Sequence, residues 1–283
     1  MAVTTAELRK SIARDMRAVP AEGDYYGEDG LLVCGRCGTP KECRVPVCGN
    51  GALGYMGERW EADASRDVIR PIMCSCRERQ AADADMADAA FKADARDAAN
   101  RAACWDIGGC SSMTFDADDG SDTVASGEAR AYAEGFPGTS DGGRGLVFLG
   151  GVGCGKTFMA ACIANRLLES GLKVRFTSIS ELARRASASG YGGSSEAVGS
   201  IRHADLVVLD DFGTERQTPS MQEFRYQVVN TLYSEKVPMV VTTNLTRREL
   251  MASTGAESDR VFSRIVERCR PVVMAGADRR KMV

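Results

Sequence analysis

Four short apolar runs mark the second half of the chain: Leu146–Leu149 (LVFL), Lys173–Ile179 (KVRFTSI), Asp205–Asp211 (DLVVLDD) and Met239–Thr243 (MVVTT). Runs of that length, bounded by glycine, proline or charge, predict buried strands. Between them the apolar positions recur at helical spacing. A helix is expected from Phe158 to Ser170, stopped by Gly171, because glycine takes the left-handed conformation that ends helices. Ser180 is placed to cap a helix over ELARRA, which the Gly/Ser-rich SASGYGGSSEAVGS then interrupts. Pro219 opens a long helix reaching about Lys236, proline being favoured in a first helical turn. The first half patterns differently. Leu8, Ile12 and Met16 recur every four residues, which predicts a helix over 1–20, ending before Pro20, with one face for its own domain or a partner. Arg77–Arg101 holds ten alanines among mixed charges, the composition of a solvated helical connector. Cys104–Ser112 breaks that helix. Met113–Arg144 is loop-rich, with one short helix expected over Val124–Tyr132.

The Leu146–Leu149 strand runs directly into Gly150–Thr157 (GGVGCGKT), and the Phe158 helix follows. This is G-x-x-x-x-G-K-[ST] in its required strand–loop–helix setting. Glycines let backbone N–H groups crowd phosphate oxygens, and the helix N-terminus adds partial positive charge. Gly151, Val152, Gly153, Cys154, Gly155, Lys156, Thr157 and Phe158 are therefore the expected contacts of a triphosphate. Lys156 would reach the β- and γ-phosphates, and the Thr157 hydroxyl would ligate Mg²⁺. The strand DLVVLDD ends in two carboxylates. Asp210 would hold Mg²⁺ through water and Asp211 would orient the attacking water. The fourth strand ends in Thr243-Asn244. Alone, Asn244 reads as a turn residue; beside a P-loop it stands where a γ-phosphate sensor would sit.

Charge and cysteines change the picture in two ways. A formal net charge of −3 excludes a globally basic nucleic-acid binder, although residues 247–283 carry nine Lys/Arg against five Asp/Glu. Arg260 and Arg264 lie four apart on one face of DRVFSRIVERC. Such a face serves solvation, a neighbour's γ-phosphate, or a groove for single-stranded nucleic acid. No apolar run reaches membrane-spanning length and the N-terminus lacks a signal-peptide core, so the expected location is cytoplasmic. Of eleven cysteines, six lie between Cys34 and Cys76. Clustering in a reducing compartment indicates a metal rather than disulfides. Cys34-x-x-Cys37 has knuckle spacing, and Cys74-x-Cys76 can supply two more thiolates from a return strand. His203 is the single histidine and lies far off, so a zinc site here is all-cysteine and structural. Cys34, Cys37, Cys74 and Cys76 are the expected Zn²⁺ ligands, with Cys43 and Cys48 in reserve.

GGVGCGKT, LVVLDDFG, VVTTNL, RVFSRIVERC and AGADRRKM, in that order, resemble the DnaC/IstB/DnaI-like group of AAA+ ATPases, the bacterial and phage helicase loaders and related transposition helpers. The resemblance covers roughly 112–283. More loosely, CGRC…CSC with its alanine-rich connector looks like the zinc-bearing helicase-binding region of DnaI-type loaders. It implies an α/β AAA+ P-loop fold: a five-stranded parallel sheet, order 5-1-4-3-2, with Met239–Thr243 between the strands bearing the P-loop and the paired acids. A zinc-binding domain (1–80), a helical linker (81–111) and the ATPase domain (112–283) would follow one another. The resemblance also implies Arg264 as a trans-acting arginine finger, with Arg260 as fallback, and Arg280 as the sensor-2 arginine, with Arg279 as fallback. Ser180–Ala204 would correspond to the helical insertion that shapes open spirals and lines a DNA path. Asp211 departs from the glutamate usual at its position, and no C-terminal lid domain is expected after the sensor-2 motif. The function implied is slow, partner- or DNA-stimulated ATP hydrolysis that loads a hexameric DnaB-type replicative helicase onto single-stranded DNA, with ATP-dependent self-association. The alternatives are an IstB-like transposition helper and a nucleotide-gated single-stranded DNA-binding module.

Overall fold

The computed structural model describes residues 16–46, 67–120, 122–136, 143–246, 248–249 and 258–274. They divide into two compact units, one up to Phe91 and one from Lys92. A single helix, α1 (Ser75–Cys104), runs through the division.

The first unit is two antiparallel ribbons, β1 (Tyr25–Tyr26) with β2 (Leu32–Val33) and β3 (Glu42–Pro46) with β4 (Asp67–Pro71). Its buried apolar residues, among those described, are Leu31, Leu32, Val68 and Ile69, with Cys34 and Cys74. Charged groups are buried there too, each with partners, as a buried charge requires. Lys41 pairs with Asp24. The Glu42 carboxylate accepts from the amides of Leu32 and Ala18, each at 2.9 Å, and from Arg17 at 2.9 Å. Gly35 is demanded by a close approach, because a Cβ there would lie 1.7 Å from the Gly23 carbonyl oxygen. Residues 16–20 are not helical. The Met16 amide pairs with the Ile69 carbonyl beside β4 at 3.0 Å, so it has left the helical ladder before Pro20. The rest of the expected N-terminal helix lies outside the described residues.

The second unit is built on five parallel strands: β5 (Gly145–Gly150), β6 (Val174–Thr177), β7 (Leu206–Leu209), β8 (Met239–Thr243) and β9 (Cys269–Met274). They are ordered β6-β7-β8-β5-β9. Numbered in chain order from β5 and read from the β9 edge, that is 5-1-4-3-2. Its helices are α2 (Thr123–Gly135), α3 (Lys156–Glu169), α4 (Ile179–Ala188), α5 (Gly193–Gly199), α6 (Pro219–Ser234) and α7 (Ser258–Arg268). Successive strand residues point to opposite faces, and both faces are covered. Leu146, Phe148, Val208 and Val240 pack with α2 and α3; Val147, Leu149, Val207 and Val241 pack with α4 to α7. This explains the continuous apolar runs, since a strand buried on both faces has no polar side to show. β9 forms one edge, where Pro271, which lacks a ladder donor, is tolerated.

One detail of this unit differs from the sequence reading. The α4 cap is Ser178, whose side chain accepts from the Glu181 amide at 3.1 Å, rather than Ser180. β6 ends at Thr177, so the helix starts two residues sooner. Beyond α1 the chain lies along the β6 edge: Trp105 bridges to Phe176, their rings 5.2 Å apart. The Asp106 carboxylate, 1% exposed, takes Arg175 in a fork at 2.9 and 3.0 Å and also pairs with Arg185. Among the described residues no helix is long and apolar enough to cross a membrane.

Candidate functional site

The carboxyl ends of β5, β7 and β8 meet in one polar network. β5 ends at Gly150, and the loop turns through Gly153 and Gly155, both with positive φ (78° and 97°), into α3. Glycine enters that backbone region without a Cβ penalty. Gly151 and Val152 are exposed, Gly153, Thr157 and Phe158 half-buried, and Cys154 and Lys156 buried. Lys156 Nζ donates to the carbonyls of Gly150 (3.0 Å) and Gly151 (2.6 Å) and to Asn244 Oδ1 (2.9 Å), and lies 3.8 Å from Cys154 Sγ. The Lys156 ammonium, held by loop carbonyls at the start of α3, is placed to receive phosphate charge.

The paired acids stand beside it. Thr157 Oγ1 donates to Asp210 Oδ1 at 2.9 Å, and Thr242 Oγ1 donates to the same oxygen at 2.7 Å. Burial pushes the Asp210 carboxyl above its usual range, opposed by those hydroxyls. Asp211 leaves β7 with φ 54° and accepts from Asn244 Nδ2 at 3.1 Å. Asn244 thus touches both Lys156 and Asp211. The expected set Lys156, Thr157, Asp210, Asp211 and Asn244 is one connected cluster, able to hold a cation between hydroxyl and carboxylate beside a lysine that neutralises phosphate.

The arginines are elsewhere. Arg264, half-buried on α7, lies over the rings of Tyr226 (4.9 Å) and Tyr233 (5.3 Å) and donates to the Tyr226 hydroxyl at 3.4 Å. Arg260 is exposed one turn earlier. Arg279 and Arg280 lie outside the described residues. Sequence reasoning missed three buried polar anchors: Thr242; the Glu215–Arg225 ion pair at 3.1 Å; and Asn165, whose amide holds the carbonyls of Cys110 (3.2 Å) and Met113 (2.8 Å). The Thr preceding Thr243-Asn244 in a buried strand was the one legible signal.

In the first unit, the sulfurs of Cys34, Cys37, Cys74 and Cys76 all lie within 4.8 Å of one another. Cys34 and Cys76 are 3.7 Å apart, and Cys74 and Cys76 3.3 Å. A tetrahedral zinc with Zn–S near 2.3 Å sets sulfurs about 3.8 Å apart, so the donor set fits that ion. Cys34 and Cys37 form a knuckle closed by the Gly38 amide on the Cys34 carbonyl at 2.8 Å. The second pair comes from the junction of β4 and α1, with Cys76 inside the helix's first turn, not from a return strand as expected. Helix amides of Arg77 and Glu78 bond the Cys74 carbonyl there at 2.9 and 3.0 Å. The Thr39 hydroxyl and amide beside Cys37 hold its thiol down at about 5, while Cys74 beside Cys76 pushes that thiol up to about 12. Four sulfurs crowded this closely are what a bound cation would hold together. Cys43, on β3, is not one of the four, and Cys48 lies outside the described residues.

Against this geometry, a family model described as IstB-like ATP binding protein matches residues 140–282. The replicative helicase loader DnaC of Escherichia coli (strain K12) is 28% identical over 141 residues, 49% of this chain and 55% of that protein. The replicative helicase loader DnaI of Bacillus subtilis (strain 168) is 27% identical over 152 residues, 49% of this chain and 48% of that protein. The chain therefore spans about half the length of these curated relatives. A crystal structure of DnaI matches with a TM-score of 0.50 at 22% identity, covering 60% of this chain and 92% of that one, a likeness of fold. With a P-loop, paired acids and the matching sheet all inside residues 140–282, the chain belongs to the IstB-like ATP-binding protein family, homologous to the DnaC and DnaI helicase loaders.

Proposed function

We propose that this chain is an ATPase that loads a hexameric DnaB-type replicative helicase onto single-stranded DNA. The observation that carries the reading is the joining, in one chain, of the Lys156–Asn244–Asp211 network with a four-cysteine unit. Homology to proteins named helicase loaders supports it. ATP would lie along Gly151–Phe158, with Lys156 releasing the loop carbonyls for phosphate. Thr157 and Asp210 would hold Mg²⁺, which would shield phosphate charge. Asp211, oriented by Asn244, would align the attacking water. Arg264, presented by two tyrosine rings, would serve a neighbouring subunit's nucleotide in an ATP-dependent assembly, with Arg260 as the alternative, and Arg280 would act as the sensor-2 arginine. Residues 1–80, stapled by Zn²⁺ on the four cysteines, would grip the helicase, 81–111 would connect, and 112–283 would be the ATPase domain.

Co-elution of the full chain with its host's hexameric helicase, with and without ATP, tests this. A complex that the Cys34→Ser/Cys37→Ser variant loses supports the loader and locates the grip. No complex in either state sinks it. DNA remodelling beside a transposase would then be the activity to seek, as for an IstB-type transposition helper.

A further inference from the structure

We propose that Thr242 is a positioning residue of the nucleotide site, its hydroxyl fixing the placement of both Asp210 and Asp211. The inference rests on the ATP-binding reading above. β8 is buried throughout, and Thr242 shares the strand face of Val240, where a valine would pack as well. A hydroxyl in such a place is costly unless bonded, and this one is bonded twice. Its oxygen accepts from the Asp211 amide at 2.8 Å, and its proton goes to Asp210 Oδ1 at 2.7 Å. A hydroxyl has one proton, and the amide already donates to the oxygen, so the direction toward Asp210 is fixed by chemistry. The Thr242 carbonyl also accepts from the Phe212 amide at 2.8 Å. One residue of β8 thus holds three successive residues where the chain leaves β7.

That exit is where support is needed. Asp211 has φ 54°, a conformation that non-glycine residues keep only when their surroundings impose it. From this turn Asp211 meets Asn244, and Asn244 meets Lys156. Thr157 donates to the same Asp210 oxygen as Thr242. If Thr157 turns toward a metal ion, Thr242 is the donor that keeps Asp210 aimed. Thr242 would therefore act through the two acids without touching nucleotide.

Thr242→Val replaces the hydroxyl by a methyl of similar shape. Binding of a fluorescent ATP analogue is titrated with Mg²⁺, and ATP turnover is followed, for the wild type, T242V and T242S. Like other outer-shell changes, T242V is expected to raise the Mg²⁺ requirement roughly 10- to 100-fold and to lower kcat in the same range. Its analogue affinity in EDTA and its KM should stay as in the wild type, and T242S should restore most of both losses. If T242V lacks a cooperative melt, T242A is read in the same titration. A folded T242V or T242A with wild-type Mg²⁺ requirement and turnover overturns the inference alone. A wild type without Mg²⁺-supported ATP binding overturns the nucleotide reading and this inference with it.

Discussion

From Lys92 onward, five strands bury both faces under helices, and Phe148, Phe176, Leu206, Val208 and Val240 are all fully inaccessible to solvent. Among the described residues up to Phe91, the buried apolar set is four aliphatic residues and two of the clustered cysteines, with Lys41 and Glu42 also buried. The second unit has enough apolar area for burial to dominate its stability. The described part of the first buries far less and is tied by polar bonds: the Lys41–Asp24 pair, the three donors on Glu42, and the sulfur cluster. Polar bonds exchange for bonds to water and contribute modestly each, so a unit of this kind needs a cross-link. The contrast would make a metal held by the four cysteines a staple of one unit with no part in the stability of the other.

Stripping any metal from the four cysteines would be the largest blow to that contrast. Structural zinc supplies about 10–16 kcal/mol of apparent folding free energy in small zinc-dependent peptides. A chelator under reducing conditions should abolish amide-exchange protection in 16–46 and 67–74 while β5 to β9 stay protected. Protection that survives in the first unit would show that the cysteines do not staple it.

The converse blow is Phe148→Ala. Phe148 lies at the centre of β5 with no exposure, and truncating a buried phenylalanine costs about 3–5 kcal/mol. Thermal melting of the second unit should fall accordingly, with exchange in the first unit unmoved. Equal loss in both units would mean that they fold as one, and the comparison would fail.

The second unit was also the more legible in sequence, for the same physical reason. A strand buried on both faces leaves a continuous apolar run, and a phosphate loop imposes glycines at fixed offsets. So β5 to β8, the P-loop and the acids could be read locally. β9 could not: CRPVVM carries Arg270 and Pro271, and its place is set by pairing with β5. The two-residue strands β1 and β2 are too short to show a period. In the first unit the cysteine spacings were visible, yet the seat of Cys76 in a helical first turn was not, because it depends on where β4 stops. The buried polar anchors were least visible of all. Asn165 serves carbonyls more than fifty residues away, Asp106 answers Arg175 and Arg185, and Glu215 answers Arg225. Such partners are chosen by the fold, so nothing near them in sequence announces them.

Between the two modes lies α1, whose central turns bury no side chain. Residues 77–92 are exposed throughout, including Met86 and Phe91 at 64% and 72%. Only Asn100, which donates to the Gly171 carbonyl at 3.2 Å, and Cys104 are buried on this helix. A helix so little packed is held by intrinsic propensity, which its alanines maximise. Ala89→Gly should therefore weaken the helix by about 1 kcal/mol, the difference between alanine and glycine in a helix interior. The readout is faster amide exchange around residues 83–95, with the melting of the second unit and the zinc content of the first unchanged. The effect is small, but it separates two accounts of the connector. If the second unit's melting temperature fell with it, the central turns of α1 would be packed against something that stabilises that unit. If exchange alone changes, the helix is a spacer whose order is its own, and the two units are stabilised by independent means.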